Sequence, residues 1–266
     1  MRIPLYQIDA FVTEQPFSGN PAAVCPLDSW LPTDLMQAIA AENNLSETAF
    51  FVAEGEGYRL RWFTPATEVD LCGHATLASA YVVFDRLSPA RRSVTFTTEK
   101  AGPLTVTRDG DLLALDFPAR PPEACATTDA VTDALGRRPA ALLAARDYLA
   151  VYDSADEIAA LKPNVAAVAA LDRFAVIVTA PGRGEVDFVS RFFAPARGVD
   201  EDPVTGSAHC TLIPYWAERL GKTRLMARQL SRRGGALACA VVGSPGGGRV
   251  TIAGRAVPFL EGTIAL

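Results

Sequence analysis

Glu47 stands in the stretch NNLSETAFFV, with Leu45 before it and Ala49, Phe50, Phe51 and Val52 after it. A carboxylate entering an otherwise apolar strand is the kind of group that proton transfer at neutral pH recruits, and a solvent-facing glutamate at a strand start is the equal alternative. His74 follows Gly73 at the start of an apolar segment. A helix beginning there would turn its positive end on an imidazolium and hold the ring neutral, whether the histidine caps the helix or meets a ligand. Asp202 precedes Pro203 in the loop before Gly206 and Ser207. It is either a turn-forming Asp-Pro or a carboxylate at the mouth of a cleft. His209, two residues further on, reads as structural.

Gly73 and Gly206 suggest what these groups would act on. A helix N-terminus offers unpaired N–H groups and a partial positive charge, and a residue without Cβ lets an anion come close to the backbone. Two such starts brought to one cleft would hold a small carboxylate. For a lone glycine a tight strand-to-helix turn explains as much. The matched pair favours a ligand role, because the surrounding sequence has diverged while both glycines stand.

The pairing is part of a longer repeat. Arg61, Phe63, Pro65, Val69 and Asp70 recur 130 residues later as Arg191, Phe193, Pro195, Val199 and Asp200. Gly73 and Ala75 then match Gly206 and Ala208 at an offset of 133, as if three residues had entered within 201–204. Ser207 takes the place of His74.

The elements that must carry these residues repeat as well. Apart from Thr76 and Ser79, residues 75–84 are apolar on every side, so a helix over 75–87 would be buried all round and central to its domain. Its counterpart over 208–220 stops at Gly221, and Pro214 within it should bend or divide it. Strands are expected at 94–98, 104–107 and 112–117, then at 225–230, 237–242 and 249–253. Earlier in each half a helical stretch precedes a strand. Residues 35–42, capped by Thr33 or Asp34, lead to a strand at 49–53; residues 154–161 and 164–171 lead to one at 174–179. The Pro-rich piece 117–122 is the candidate linker. The expectation is an α+β protein of two pseudo-symmetric domains, 1–118 and 119–266, each a mixed β-sheet or barrel wrapped around a central α-helix, with the final strands able to pack back on the first.

Composition narrows the partners. Of 266 residues, 49% are hydrophobic, and 25 Lys and Arg against 30 Asp and Glu give a net charge of −5. No basic run stands out, which argues against nucleic acid. No apolar run approaches a membrane span, and MRIPLYQIDAFV alternates like a strand instead of resembling a signal peptide. Five scattered cysteines without a CxxC pair suit free thiols in a reducing cytoplasm. The two histidines fall in separate halves with no metal-ligand spacing, and no phosphate loop is present, so neither metal nor cofactor is expected.

Four ordered motifs, IDAFVTEQPFSGNPAAVC, NNLSETAF, TPATEVDLCGHATLASA and GVDEDPVTGSA, resemble the PhzF-like family of phenazine-biosynthesis isomerases, whose wider fold is that of diaminopimelate epimerase. The resemblance runs nearly the full chain. It implies a cofactor-independent, homodimeric isomerase with its site between the two domains. By that likeness Glu47 carries the proton between substrate carbons, His74 and Asp202 join it in catalysis, and Gly73, His74, Gly206, Ser207, Asn20 and Ser46 bind a small carboxylate. One rival is a two-base epimerase on the same fold, which needs a thiol before each loop glycine; here Cys72 precedes Gly73 but Thr205 precedes Gly206. The other is a non-catalytic carboxylate-binding protein.

Overall fold

In the computed structural model, which describes residues 1–243 and 248–266, the chain divides into two units, Met1–Asp116 with Ala253–Leu266, and Phe117–Ile252. The first runs β1 (Arg2–Ala10), β2 (Asn20–Leu27), α1 (Thr33–Asn43), β3 (Glu47–Glu54), β4 (Gly57–Phe63), β5 (Glu68–Val69), α2 (Gly73–Val82), a π turn (Val83–Leu87), β6 (Ser93–Thr97), β7 (Leu104–Asp109) and β8 (Leu112–Pro118). The second holds β9 (Glu123–Ala124), α3 (Asp129–Leu135), β10 (Ala141–Ala144), β11 (Tyr148–Val151), α4 (Ala155–Ala160), α5 (Val165–Ala169), β12 (Val176–Pro181), β13 (Phe188–Phe193), a 3-10 turn (Pro195–Arg197), α6 (Gly206–Leu220), β14 (Arg224–Gln229), β15 (Gly235–Val242) and β16 (Arg249–Gly254). The last strand, β17 (Ala256–Ala265), pairs antiparallel with β1 in the first unit. Among the described residues no helix is long and apolar enough to cross a membrane.

The all-round apolarity after Gly73 produces the expected buried helix. His74 through Ala80 and Val82 are buried, and α2 packs against β1, β2, β3, β7 and β17. Its two hydroxyls are accommodated by bonding back along the helix: Thr76 donates to the Cys72 carbonyl at 2.6 Å and Ser79 to the Ala75 carbonyl at 2.7 Å. The sheet around it is mixed, with β2 parallel to β3, β3 antiparallel to β4, β4 parallel to β6 and β6 antiparallel to β7. The second unit repeats that order: β11 parallel to β12, β12 antiparallel to β13, β13 parallel to β14, β14 antiparallel to β15. In it α6 lies against β14 and β15.

The repeat extends to a salt bridge, and the salt bridge corrects the alignment. Arg61 grips Glu68 with two hydrogen bonds of 2.7 Å while its guanidinium lies 5.1 Å from the Phe63 ring centre. Arg191 grips Glu201 at 2.7 and 3.0 Å, 4.9 Å from the Phe193 ring. Glu201 is therefore the partner of Glu68, at an offset of 133, and the match of Asp70 with Asp200 is coincidental. The extra residues lie earlier than expected, in the turn. There Thr64 N–H reaches the Thr67 carbonyl in the first unit, whereas Ala194 N–H reaches Val199 across the 3-10 turn in the second.

Two local expectations fail for identifiable reasons. Neither Thr33 nor Asp34 caps α1: Pro32 holds the N-cap position, and its carbonyl accepts from Leu35 and Met36. Pro214 does not divide α6, which runs unbroken through it. Proline removes the N–H that would bond the carbonyl four residues back, and that carbonyl, of Cys210, instead accepts from Arg120 N–H at 2.8 Å. Ser154 and Asn164 do cap α4 and α5, each accepting an amide N–H three residues on.

Since Leu77 is 0% exposed at the centre of α2, Leu77→Ala should cost about 2–5 kcal/mol of unfolding free energy. Met226→Ala, at a half-exposed position of β14, should change it by no more than about 0.5 kcal/mol. Urea titrations of both variants check this, and a Leu77→Ala loss as small as that of Met226→Ala would contradict the central position of α2.

Candidate active site

Three backbone features of the first unit converge on one corner. Gly19, with φ of 79°, lies so close to the end of β1 that a Cβ would sit 2.5 Å from the Ala10 carbonyl oxygen, so only glycine lets the chain turn back and start β2 at Asn20. The parallel register Ala22↔Glu47 sets the first residue of β3 beside it. The second residue of α2 is His74.

Their side chains form a chain of contacts. Ser46 Oγ donates to Asn20 Oδ1 at 2.9 Å. Asn20 Nδ2 meets His74 Nδ1 at 3.1 Å. His74 Nε2 lies 3.0 Å from Glu47 Oε2, a close contact that falls outside hydrogen-bond alignment. Asn20 is 0% and His74 4% exposed, while Glu47 keeps 15% of its side chain accessible. The sequence reading that put a carboxylate at the head of an apolar strand is met: Thr48 to Phe51 behind Glu47 are all buried.

Cys72, the N-cap residue of α2, adds its Sγ at 3.5 Å from His74 Nδ1. For His74, burial opposes the imidazolium while Cys72 and then Glu47 favour it, and the sum lies well above the ordinary histidine value. Much of that upward pull needs a thiolate, yet burial pushes the Cys72 thiol itself up to about 11. At neutral pH the thiol is uncharged, so the pull from Cys72 vanishes and that of Glu47 alone is left against the desolvation and the helix end. We assign His74 as neutral. Glu47, Cys72 and His74 also bring three donor atoms within 4.8 Å of one another. Metal ligation would require the thiolate, and both ring nitrogens already face Asn20 and Glu47, so the set fits a hydrogen-bond chain better than a metal centre.

The corresponding corner of the second unit is built differently. Thr205 stands where Cys72 does, as N-cap of α6. Its hydroxyl donates to Asp202 Oδ2 at 2.5 Å and its N–H donates to Gln229 Oε1 at 2.9 Å. Gln229 Nε2 returns bonds to the Asp202 carbonyl at 2.7 Å and to Thr205 Oγ1 at 3.2 Å. Arg146, held by two 2.9 Å bonds to the buried carboxylate of Asp147, donates to Ser207 Oγ at 3.2 Å. Gln229, Arg146 and Asp147 escaped the sequence reading, because nothing in their spacing ties them to the glycine loop; only the fold brings them there.

Gly73 and Gly206 are the first residues of α2 and α6, and neither belongs to the glycines with positive φ. Backbone conformation therefore does not demand glycine at either position, which weakens the explanation by turn geometry. His209 is structural, as expected. Its Nδ1 bonds the Thr205 carbonyl at 2.8 Å, and burial lowers its pKa to about 4.

A family model described as "Phenazine biosynthesis-like protein" (PhzC-PhzF) matches residues 8–262. An uncharacterized isomerase of Pseudomonas aeruginosa is 54% identical over the whole of both chains. The crystal structure of a phenazine biosynthesis protein of the PhzF family from Enterococcus faecalis superposes with a TM-score of 0.95 at 48% identity, covering both chains completely. A hydroxyproline epimerase from Agrobacterium vitis shares the fold alone, at a TM-score of 0.63 and 13% identity over 100% of this chain and 93% of that one.

His209 generates a pH prediction. Its folded pKa of about 4 lies below the unfolded value near 6.5, so the unfolded chain binds the proton first. The stabilising contribution is complete above about pH 6.5 and is lost as pH falls toward 4, by about 2 kcal/mol at pH 5. Urea unfolding of wild type and His209→Gln should show the stability gap between them shrinking by about that amount from neutral pH to about pH 5. A gap independent of pH would contradict the buried neutral ring.

Proposed function

The chain belongs to the phenazine biosynthesis-like family and is an isomerase, and we propose that it moves a proton between two carbons of a small carboxylate substrate without a cofactor. The observation that carries this reading is the Glu47 carboxylate, partly accessible at the head of a buried strand and 3.0 Å from His74 Nε2. Proton removal next to an activating group needs a base and donors aimed at developing negative charge. Glu47 is the base, and the amides of Gly73 and His74 at the start of α2 are donors for the substrate carboxylate. In this reading Asp202, Gly206 and Ser207 serve substrate binding and polarisation, with Thr205 and Gln229 holding Asp202, and Arg146 holding Ser207. The family resemblance adds a homodimer, and the scattered free cysteines suit a cytoplasmic location.

The two-thiol epimerase reading has little support. Cys72 is a buried thiol pushed up to about 11, and its counterpart Thr205 is bonded to Asp202 and Gln229. A plain carboxylate binder would need only the helix ends, and gains nothing from a carboxylate contacting a buried histidine.

Incubating the protein in D2O with a panel of small carboxylic acids bearing an activated C–H, and reading deuterium entry by mass spectrometry, tests the reading. Wild type should label at least one acid. Glu47→Gln should slow labelling by roughly a hundredfold or more while binding of the same acid changes less than about tenfold, and Cys72→Ala should retain most of the activity. Labelling that survives Glu47→Gln and disappears with Cys72→Ala would promote the epimerase, and binding without labelling would promote the binder.

A further inference from the structure

We infer that Asn20 is a positioning residue whose amide fixes His74 in the neutral tautomer with its proton on Nε2, so that the proton taken from substrate stays on Glu47 and is not passed to the histidine. The inference rests on the proposed role of Glu47 and adds a device that keeps a single proton carrier in play.

The argument follows from which groups can donate. An ionised carboxylate has no hydrogen to offer and repels a bare lone pair, so His74 Nε2, 3.0 Å from Glu47 Oε2 though not aligned for a hydrogen bond, must carry a hydrogen. A neutral ring with its proton there has a bare Nδ1, which can only accept. Its neighbour at 3.1 Å must be a donor, and the NH2 of Asn20 is one. Asn20 Oδ1 is then left to accept, and the Ser46 hydroxyl supplies its proton at 2.9 Å. Donors thus run one way, from Ser46 through Asn20 and His74 to Glu47. Turning the Asn20 amide over would reverse every link and set a bare Nε2 against the carboxylate, two acceptors in contact. Burial of Asn20 and His74 makes such an unpaired arrangement costly.

The consequence concerns where the proton rests. In the proposed isomerisation the substrate C–H proton moves to Glu47 Oε1 while the C–H electron pair enters the substrate's conjugated system. The same proton then goes to another carbon, where that pair forms the new C–H bond. Imidazole is the stronger base of the two by about two pKa units in their reference states. A bare Nε2 beside Glu47 would therefore take and hold the proton. With Nε2 already protonated and Nδ1 occupied by Asn20, the ring has no free site, and the proton can only return to substrate.

Long-range 1H–15N spectra of the imidazoles test this without any substrate. The chain has only two histidines, and His209 supplies an opposite reference, since its Nδ1 faces a carbonyl and must bear the proton. At neutral pH the wild type should show one ring protonated at Nε2 and one at Nδ1, and His209→Gln should remove the second. In Asn20→Asp, which replaces the donor by an acceptor while Glu47 still faces Nε2, His74 Nδ1 should shift from the bare-nitrogen to the N–H range. A wild-type His74 protonated at Nδ1 overturns the inference even if the variant does not fold, and an unchanged His74 signal in folded Asn20→Asp overturns Asn20's part. Correct spectra from a protein that labels no acid in D2O would instead count against the isomerase reading while leaving the tautomer lock in place.

Discussion

A carboxylate ion can only accept hydrogen bonds, and that one-way rule orders the corner where Glu47 sits. His74 must offer it an N–H, the opposite ring nitrogen must then be offered one, and so on back to Ser46. Each link is a backbone decision as much as a side-chain one. Gly19 admits a turn no other residue could make, β2 and β3 run parallel in one register, and α2 begins one residue before His74. A slip of one residue in β3 would send Glu47 to the opposite face of the sheet and dissolve the arrangement.

The same topology carries two chemistries. In both units an arginine on a strand clamps a glutamate ahead of the next helix and lies over a phenylalanine, which fixes the segment that delivers a glycine to a helix start. Beyond the clamp the units differ. The first places a thiol, a histidine and a nearby base at the helix start; the second places a threonine locked to Asp202 and Gln229, with a serine steadied by Arg146. The scaffold is duplicated and the reactive groups are not, which is why the pattern suits one proton carrier with binding groups better than two equivalent bases.

Much of this was legible in the chain itself. The repeat, the buried central helix and the mixed strands follow from local pattern, because apolarity on every side of residues 75–84 leaves a helix no exposed face. What escaped depends on contacts distant in sequence. Pro214 is tolerated because Arg120, 90 residues before Cys210 (210 − 120), supplies a hydrogen bond to the Cys210 carbonyl. Asp202 is held by Gln229 from β14, and the Asn20 amide meets His74 and Ser46, 54 and 26 residues away. The position of the inserted residues was misjudged because chance matches at Val199 and Asp200 outweighed a salt bridge that only the folded chain reveals.

Neutron diffraction from crystals of the deuterated protein at neutral pD would test the central claim most directly, because it locates the hydrogens on Glu47, Cys72, His74 and Asn20 together. The account predicts a deuteron on His74 Nε2 facing Glu47, both Glu47 oxygens bare, His74 Nδ1 bare beneath the Asn20 ND2 group, and a deuterated Cys72 sulfur. A deuteron on Glu47 opposite a bare Nε2, or a doubly protonated His74 beside a thiolate, would contradict it.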